Sequence, residues 1–121
     1  MTHYFFDTYA LIEITRNSKN YLHYIHAQPI TTILNLVELY YALLRTQSRL
    51  IAERYYNFYR PSVVPISDEI IKSAVNFKFK QKRRKLSYVD CIGYIIAVKY
   101  GLKFLTGDVQ FKNLPNVEFV K

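Results

Sequence analysis

Apolar residues follow two rhythms along this chain. Short aromatic or branched runs alternate with longer stretches in which apolar side chains recur every three or four positions, the signatures of buried strands and amphipathic helices. His3 to Phe6 reads as a first strand, and Asp7 hands it over to a helix spanning Thr8 to Ile14. After the polar break Arg16-Asn17-Ser18, Lys19 to Ala27 resumes helical spacing through Tyr21, Leu22 and Ile25, and Pro29 closes it. Ile30 to Leu34 reads as a buried second strand, followed by a helix from about Asn35 to Arg45 that carries Glu38 near its start. Gln47 to Arg60 forms a further amphipathic helix stopped by Pro61, and Val63 to Ile66 a short third strand. Ser67-Asp68-Glu69 opens a helix running towards Lys82 with a capped, acidic first turn. Ser87 to Asp90 has the spacing of a capping box, ahead of a helix whose apolar positions are Ile92, Ile95, Ile96 and Val98 and whose stop is Gly101. Leu102 to Leu105 and Val117 to Val120 are the last two strands.

Strands alternating with helices predict an α/β fold, a parallel sheet covered by helices on both faces. The 121 residues suit one domain, 1–121, large enough to bury roughly 65% of its unfolded surface without disulfides. No repeat, low-complexity tract or linker divides it. Apolar runs are short, and the amino end Met1-Thr2-His3-Tyr4 lacks the build of a signal peptide, so a soluble, cytoplasmic protein without a membrane partner is expected. Cys91 is the only cysteine, which excludes an intrachain disulfide and fits a small buried residue.

Charge sharpens the picture. Seventeen Lys and Arg face nine acids, a formal net charge of +8, which points to an anionic partner, nucleic acid ahead of membrane. Within so basic a chain, Asp7, Glu38, Asp90 and Asp108 stand where an apolar run ends or a helix begins. Parallel strands and their crossovers bring such positions to one sheet edge, the usual location of ligand sites in α/β folds. Two bare charges about 4 Å apart repel by roughly 4 kcal/mol at an effective dielectric near 20, so clustered carboxylates need protons or a cation. Oxygen donors suit magnesium or manganese, and suitable zinc spacings of His and Cys are missing. Such a cation lowers the pKa of a bound water and neutralises charge growing on a phosphodiester, so metal-assisted phosphodiester hydrolysis is the expected chemistry.

Each acid also has a purely structural reading. Asp7 can be a plain helix cap and Asp90 a capping-box acid, each worth about 1 kcal/mol; Asp108 can be a turn acid and Glu38 a solvated helix residue. Taken together, the four placements favour a site. Thr106 can orient a metal-bound water or cap the turn before Asp108. Lys78 to Lys85 packs six cations into eight residues with no acid, just before the Asp90 helix, and Lys80, Lys82, Arg83, Arg84 and Lys85 are candidate contacts to a nucleic-acid backbone rather than only a solvated helix end. Twelve Tyr and eight Phe with no Trp include a cluster at Tyr40, Tyr41, Leu44, Tyr55, Tyr56 and Tyr59, which suggests a dimer or partner surface, with core packing for some and base stacking as a third option. His23 and His26 read as exposed helix residues. With glycine only at 93, 101 and 107, neither a dinucleotide fingerprint nor a phosphate-cradling loop can be written.

The ordered motifs resemble the PIN domain, and within it the small VapC-type toxins of toxin-antitoxin pairs. Tyr4-Phe5-Phe6-Asp7-Thr8 is similar to that family's opening strand and first acid, and Ile33 to Leu39 to the segment carrying its Glu. Ser87-Tyr88-Val89-Asp90 and Leu105 to Phe111 are similar to its third and fourth motifs, in the same order and spacing. The resemblance implies a three-layer α/β/α PIN-like fold with a central, mostly parallel sheet. It implies a magnesium-dependent endoribonuclease, with manganese as the alternative ion, in which Asp7, Glu38, Asp90 and Asp108 hold metal and activate water. It further implies an RNA substrate, a homodimer, and an antitoxin that blocks the cleft and joins the toxin in repressing their promoter. Other readings are an RNA processing or decay nuclease without antitoxin, and a non-catalytic binding module. One departure is that some relatives carry a further acid after the fourth motif, where this chain has Val109 and Gln110, so a second metal is left open.

Overall fold

The computed structural model describes residues 2–121; Met1, part of the amino end read for a signal peptide, lies outside them. The elements run β1 (Tyr4–Phe6), α1 (Thr8–Thr15), α2 (Ile33–Thr46), α3 (Arg49–Tyr59), α4 (Asp68–Lys80), α5 (Tyr88–Lys99), β2 (Lys103–Thr106) and β3 (Val117–Phe119). The sheet is parallel with β2 at its centre: Phe5 pairs with Phe104, and Leu105 with Glu118.

Alternation within these short strands builds both layers at once. Phe5 and Phe104 point to one face, where they pack with Phe111 and with Ile70, Ala74, Ile96 and Ala97 of α4 and α5. Phe6 and Leu105 point to the other, into a cluster with Leu11 of α1, Leu36, Leu39 and Leu43 of α2 and Ala52 of α3. Helices therefore cover both faces, as expected of the three-layer α/β/α arrangement. Gly93 lets α5 approach the sheet, since a Cβ there would lie 2.7 Å from the Phe5 ring. Gly101, at φ 68, ends α5 as expected, and the Leu102 N–H bonds back to the Ala97 carbonyl. No helix, among the described residues, is long and apolar enough to cross a membrane.

Two expected strands shrink to single residues. Ile30 to Leu34 and Val63 to Ile66 meet only at one parallel bridge, Thr31 to Val63. Pro29 and Pro65 have no N–H to donate, and Thr32 already caps α2, so only a residue or two in each segment stays extended. They still continue the sheet beyond β1: Phe6 N donates to the Ile30 carbonyl, Thr31 Oγ1 to the Phe6 carbonyl, and Val64 N to the Thr31 carbonyl.

The expected helix from Lys19 to Ala27 is a 3₁₀ helix over Lys19–Tyr24. Its three-residue period drives Tyr21 and Tyr24 into the core and leaves Leu22 and Ile25 exposed, contrary to the apolar stripe read from sequence. The Tyr hydroxyls donate to the Val120 carbonyl and to Glu118, tying this segment to β3. α2 starts at Ile33, earlier than expected, so Glu38 sits in its second turn rather than near its start. Of the tyrosine cluster, Tyr59 is buried, and Tyr40 and Tyr56 meet edge-on between α2 and α3, which is internal packing. Tyr41 and Leu44 alone of that group face solvent.

Gly107 is the most tightly packed of the three glycines. A Cβ there would strike the Tyr9 ring and the Val120 backbone carbonyl. Gly107→Ala should therefore cost about 1–3 kcal/mol, seen as a lower urea midpoint with an unchanged m-value. An unchanged midpoint would mean that the β2 exit is not packed this way.

Candidate active site

β1 and β2 both end at residues that enter the site. Asp7 leaves β1 with its N–H on the Leu105 carbonyl at 3.2 Å, and its side chain turns inward, only 3% exposed. Thr106, fully buried at the end of β2, donates its hydroxyl to Asp7 Oδ2 at 2.7 Å and accepts from the Asp108 N–H at 3.1 Å. One hydroxyl thus joins the two strand ends. Its only proton is committed to Asp7, so Thr106 orients a carboxylate and the following turn, and its second lone pair stays open to a donor such as water.

Asp7 occupies the N-cap position of α1, but its side chain makes no capping bond. The cap reading fails for this acid. Oδ1 is buried with no hydrogen-bond partner, a rare condition for a carboxylate oxygen. Burial first, and the Asp90 charge second, push its pKa from the ordinary 3.8 to about 8.

Asp90 is the capping-box acid that its sequence suggested. Its Oδ2 accepts from the Ser87 N–H at 2.9 Å while Ser87 Oγ accepts from the Asp90 N–H, the complete capping box. Its pKa is nevertheless raised, by burial first and then by the Asp108 and Glu38 charges, against the pull of the Ser87 amide. Asp108 is likewise a turn acid, with Oδ1 accepting from the Gln110 N–H at 2.9 Å. Glu38 is half-buried and accepts from Thr8 Oγ1 at 2.6 Å.

Thr8 belongs to a relay that sequence reading overlooked. The Thr32 hydroxyl donates to Asn35 Oδ1, Asn35 Nδ2 donates to Thr8 Oγ1 at 3.0 Å, and Thr8 donates to Glu38. Thr32 and Asn35 are fully buried, so the relay fixes the Glu38 carboxylate against α1. The signal was present, since Asn35 and Glu38 lie three apart on one helix face and Thr8 follows Asp7.

Each of the four carboxylates thus uses one oxygen within the protein and, among the described residues, keeps the other free of side-chain and backbone donors. The spare donors are all hard oxygens, and one of them is an orphaned buried atom, which fits a hard divalent cation. Among the described residues, no three of His, Cys, Asp and Glu converge closely enough to chelate an ion by themselves. The residues fit an ion that keeps part of its own water shell, not a closed cage of the zinc type.

The basic run splits in two. Lys80, Lys82, Arg83 and Lys85 have exposed side chains, whereas Arg84 is half-buried and its Nη1 donates to the Gln110 and Lys112 carbonyls at 2.7 and 3.2 Å. Gln110 Oε1 in turn accepts from the Lys85 N–H at 3.0 Å. Arg84 therefore clamps the loop that follows Asp108 instead of presenting a free cation, and Gln110 is its anchor where some relatives were expected to carry an acid. His23 and His26 are exposed and Cys91 is buried, as expected.

A parallel sheet between helical layers, with carboxylates from two neighbouring strand ends and two adjoining helices, defines an α/β/α domain with an acidic site at the carboxyl edge of its sheet. The chain belongs to the PIN domain family, whose model matches residues 4–117. No curated protein matches the sequence. Among solved structures it is similar to VapC20 of Mycobacterium tuberculosis, described as a sarcin-ricin loop cleaving toxin, at 17% identity and TM-score 0.79 over 97% of this chain and 98% of that one. A toxin-antitoxin complex from Klebsiella pneumoniae aligns at 20% identity and TM-score 0.73, over 94% of each chain. VapBC2 of Rickettsia felis, bound to a DNA fragment from its promoter, aligns at 14% identity and TM-score 0.74 over 99% and 100%.

The raised Asp7 pKa predicts how the metal-free protein responds to pH. The folded chain keeps a proton that the unfolded chain releases, so stability falls as pH rises from about 4 to about 8 and levels off above. Asp7→Asn, which cannot ionise, should remove that fall and make the metal-free protein more stable at pH 8 by an amount on the order of a few kcal/mol. Urea titrations in chelator across this range test it, and parallel stability curves for the two proteins would contradict it.

Proposed function

We propose that this chain is a magnesium-dependent endoribonuclease, the toxin of a VapBC-type toxin-antitoxin pair. The observation that carries the reading is the orphaned Asp7 oxygen, buried within range of the Asp90 and Glu38 charges in a protein of net charge +8. A capping role does not account for it, because Asp7 caps nothing. This counts against a binding module that retains its acids only for local structure.

Asp7, Asp90 and Asp108 would hold the cation through their spare oxygens or through its waters, and Glu38 completes the site or draws a proton from the attacking water. When bound, magnesium, or manganese in its place, supplies a water of lowered pKa and offsets charge on the phosphodiester. The remaining work falls to the chain itself. Thr106 aims the Asp7 carboxylate, the Thr32-Asn35-Thr8 relay holds Glu38 still, and Arg84 steadies the loop bearing Asp108. Lys80, Lys82, Arg83 and Lys85 attract the RNA backbone towards an edge that would otherwise repel it, with little reading of sequence. The VapC and VapBC likenesses support the toxin assignment, an antitoxin partner that closes the cleft and a cytoplasmic place of action. Val37, Tyr41 and Leu44, exposed at helical spacing on α2, support a homodimer of single-domain chains.

Asp7→Asn should abolish magnesium-dependent cleavage of a mixed RNA pool while the protein remains folded by circular dichroism. Cleavage by that variant at the wild-type rate would sink the assignment. The split basic run gives a second expectation: Lys82→Ala with Arg83→Ala weakens RNA binding and lowers the salt slope by about 2, whereas Arg84→Ala leaves most of the slope and lowers kcat through the Asp108 loop. The same loss of slope from both variants would show that Arg84 binds phosphate after all.

A further inference from the structure

The outer side of the α4–α5 hairpin carries a feature that the acidic site does not use. Phe79, 71% exposed, and Tyr88, 62% exposed, face solvent where α4 ends and α5 begins. They line an open groove of about 260 Å³ with Val75, Lys78, Lys82 and Arg84. No acid lines it. Lys82 Nζ lies 5.4 Å from the Phe79 ring centre and Lys78 Nζ 5.1 Å from that of Tyr88, so a cation sits over each ring. The rim is also ordered: Lys78 donates to the Leu86 carbonyl, and Arg84 is fixed on the loop after Asp108. Tyr88 is the first residue of α5 and stands two positions before Asp90 on the same helix.

We propose that this groove is a subsite for one unpaired nucleotide of a single-stranded RNA, its base stacked on Phe79 or Tyr88 and its phosphate met by Lys82. The proposal rests on the ribonuclease reading and deepens it by naming what the enzyme grips outside the acids. Charge decides the occupant. A groove of aromatic faces and cations without an acid fits a polyanion that carries flat rings, and single-strand binding sites combine these two elements. An apolar helix from a protein partner would bury the ammonium groups of Lys78 and Lys82 without offering them a counter-charge. An unpaired base is required because a paired one has no free face to stack.

Position gives the subsite a consequence for cleavage. Lys78 and Leu86 pin the end of α4 to the start of α5, so the groove and Asp90 are held by one rigid corner. A base stacked there would be held by the same corner that carries Asp90. Cleavage would then favour unpaired segments, with a bias towards bases that stack strongly.

The test uses the full chain carrying Asp7→Asn, in magnesium, so that bound RNA is not cut. Fluorescence anisotropy compares hexameric oligoadenylate with a hexamer of abasic ribose phosphates. The Asp7→Asn chain should favour oligoadenylate, and adding Phe79→Ala or Tyr88→Ala should erode that preference by about tenfold without changing abasic affinity or salt slope. Tyr88→Phe should keep the preference, and Phe79→Leu, which keeps apolar bulk, should lose it. Both aromatic side chains are exposed, so thermal unfolding should be unchanged in all four variants. A full preference retained in both alanine variants overturns the proposal. So does unaltered RNA binding with a shift from dimer to monomer in sedimentation, which would assign the groove to a protein interface. Failure of the wild-type chain to cut RNA in magnesium would strike the nuclease reading alone, because the binding comparison does not use cleavage.

Discussion

A buried carboxylate with one oxygen unpaired is the constraint on which the rest of this molecule depends. Removing a charge from water costs several kcal/mol even after the protein relaxes, and the single bond from Thr106 does not offset it. The chain tolerates Asp7 by letting its pKa rise to about 8, so the burial is borne mainly by a protonated carboxyl near neutral pH. Strongly shifted groups of this kind cluster at functional sites. The surrounding construction fixes the group in place. β1 and β2 are paired at the point where Asp7 and Thr106 meet, and Gly107 removes the Cβ that would otherwise keep the β3 end and Tyr9 away.

A local structural duty does not use up a carboxylate. A carboxylate has two oxygens, and Asp90, Asp108 and Glu38 each give one to a local partner: the Ser87 amide, the Gln110 amide and the Thr8 hydroxyl. Those partners remove rotamer freedom, so the second oxygen of each is aimed before any ligand arrives. A capping box is thereby a positioning device as well as a helix start. Asp7 alone has no local structural duty, and it is the most buried of the four.

Much of this was legible in the sequence, because the relevant signals are local. The Ser87–Asp90 box, the Gly101 stop and the polar exit of β2 each depend on a few adjacent residues, and all stand where the pattern put them. The alternation of strand and helix likewise yields the layered fold. What failed depends on the third dimension. Whether Ile30 to Leu34 extends as a strand was decided by Pro29 and by the Thr32 cap, which left two residues for the sheet. Lys19 to Ala27 was read at a period of 3.6, but the core called for Tyr21 and Tyr24 three apart, and tertiary contacts from their hydroxyls to β3 and its exit settled the period. The Thr32-Asn35-Thr8-Glu38 relay crosses two helices, so the spacing of Asn35 and Glu38 on one helix shows only the half of it that lies within a single segment.

The cations show the same limit and a way past it. By sequence, Lys80, Lys82, Arg83, Arg84 and Lys85 are one undifferentiated basic run; in space Arg84 is withdrawn from it to close two backbone carbonyls. Arginine suits that duty because its planar head bonds several acceptors at once and sheds water more readily than an ammonium. The lysines, compact and strongly hydrated, remain outside, free to follow a flexible polyanion. The acidic edge and the exposed basic fringe do not neutralise each other. Among the described residues, no ion pair joins Asp7, Glu38, Asp90 or Asp108 to any Lys or Arg. Holding Arg84 on the backbone carbonyls of the loop after Asp108, rather than on a carboxylate, leaves the acids without a fixed counter-charge, a separation that a chain of charge +8 does not reach by default.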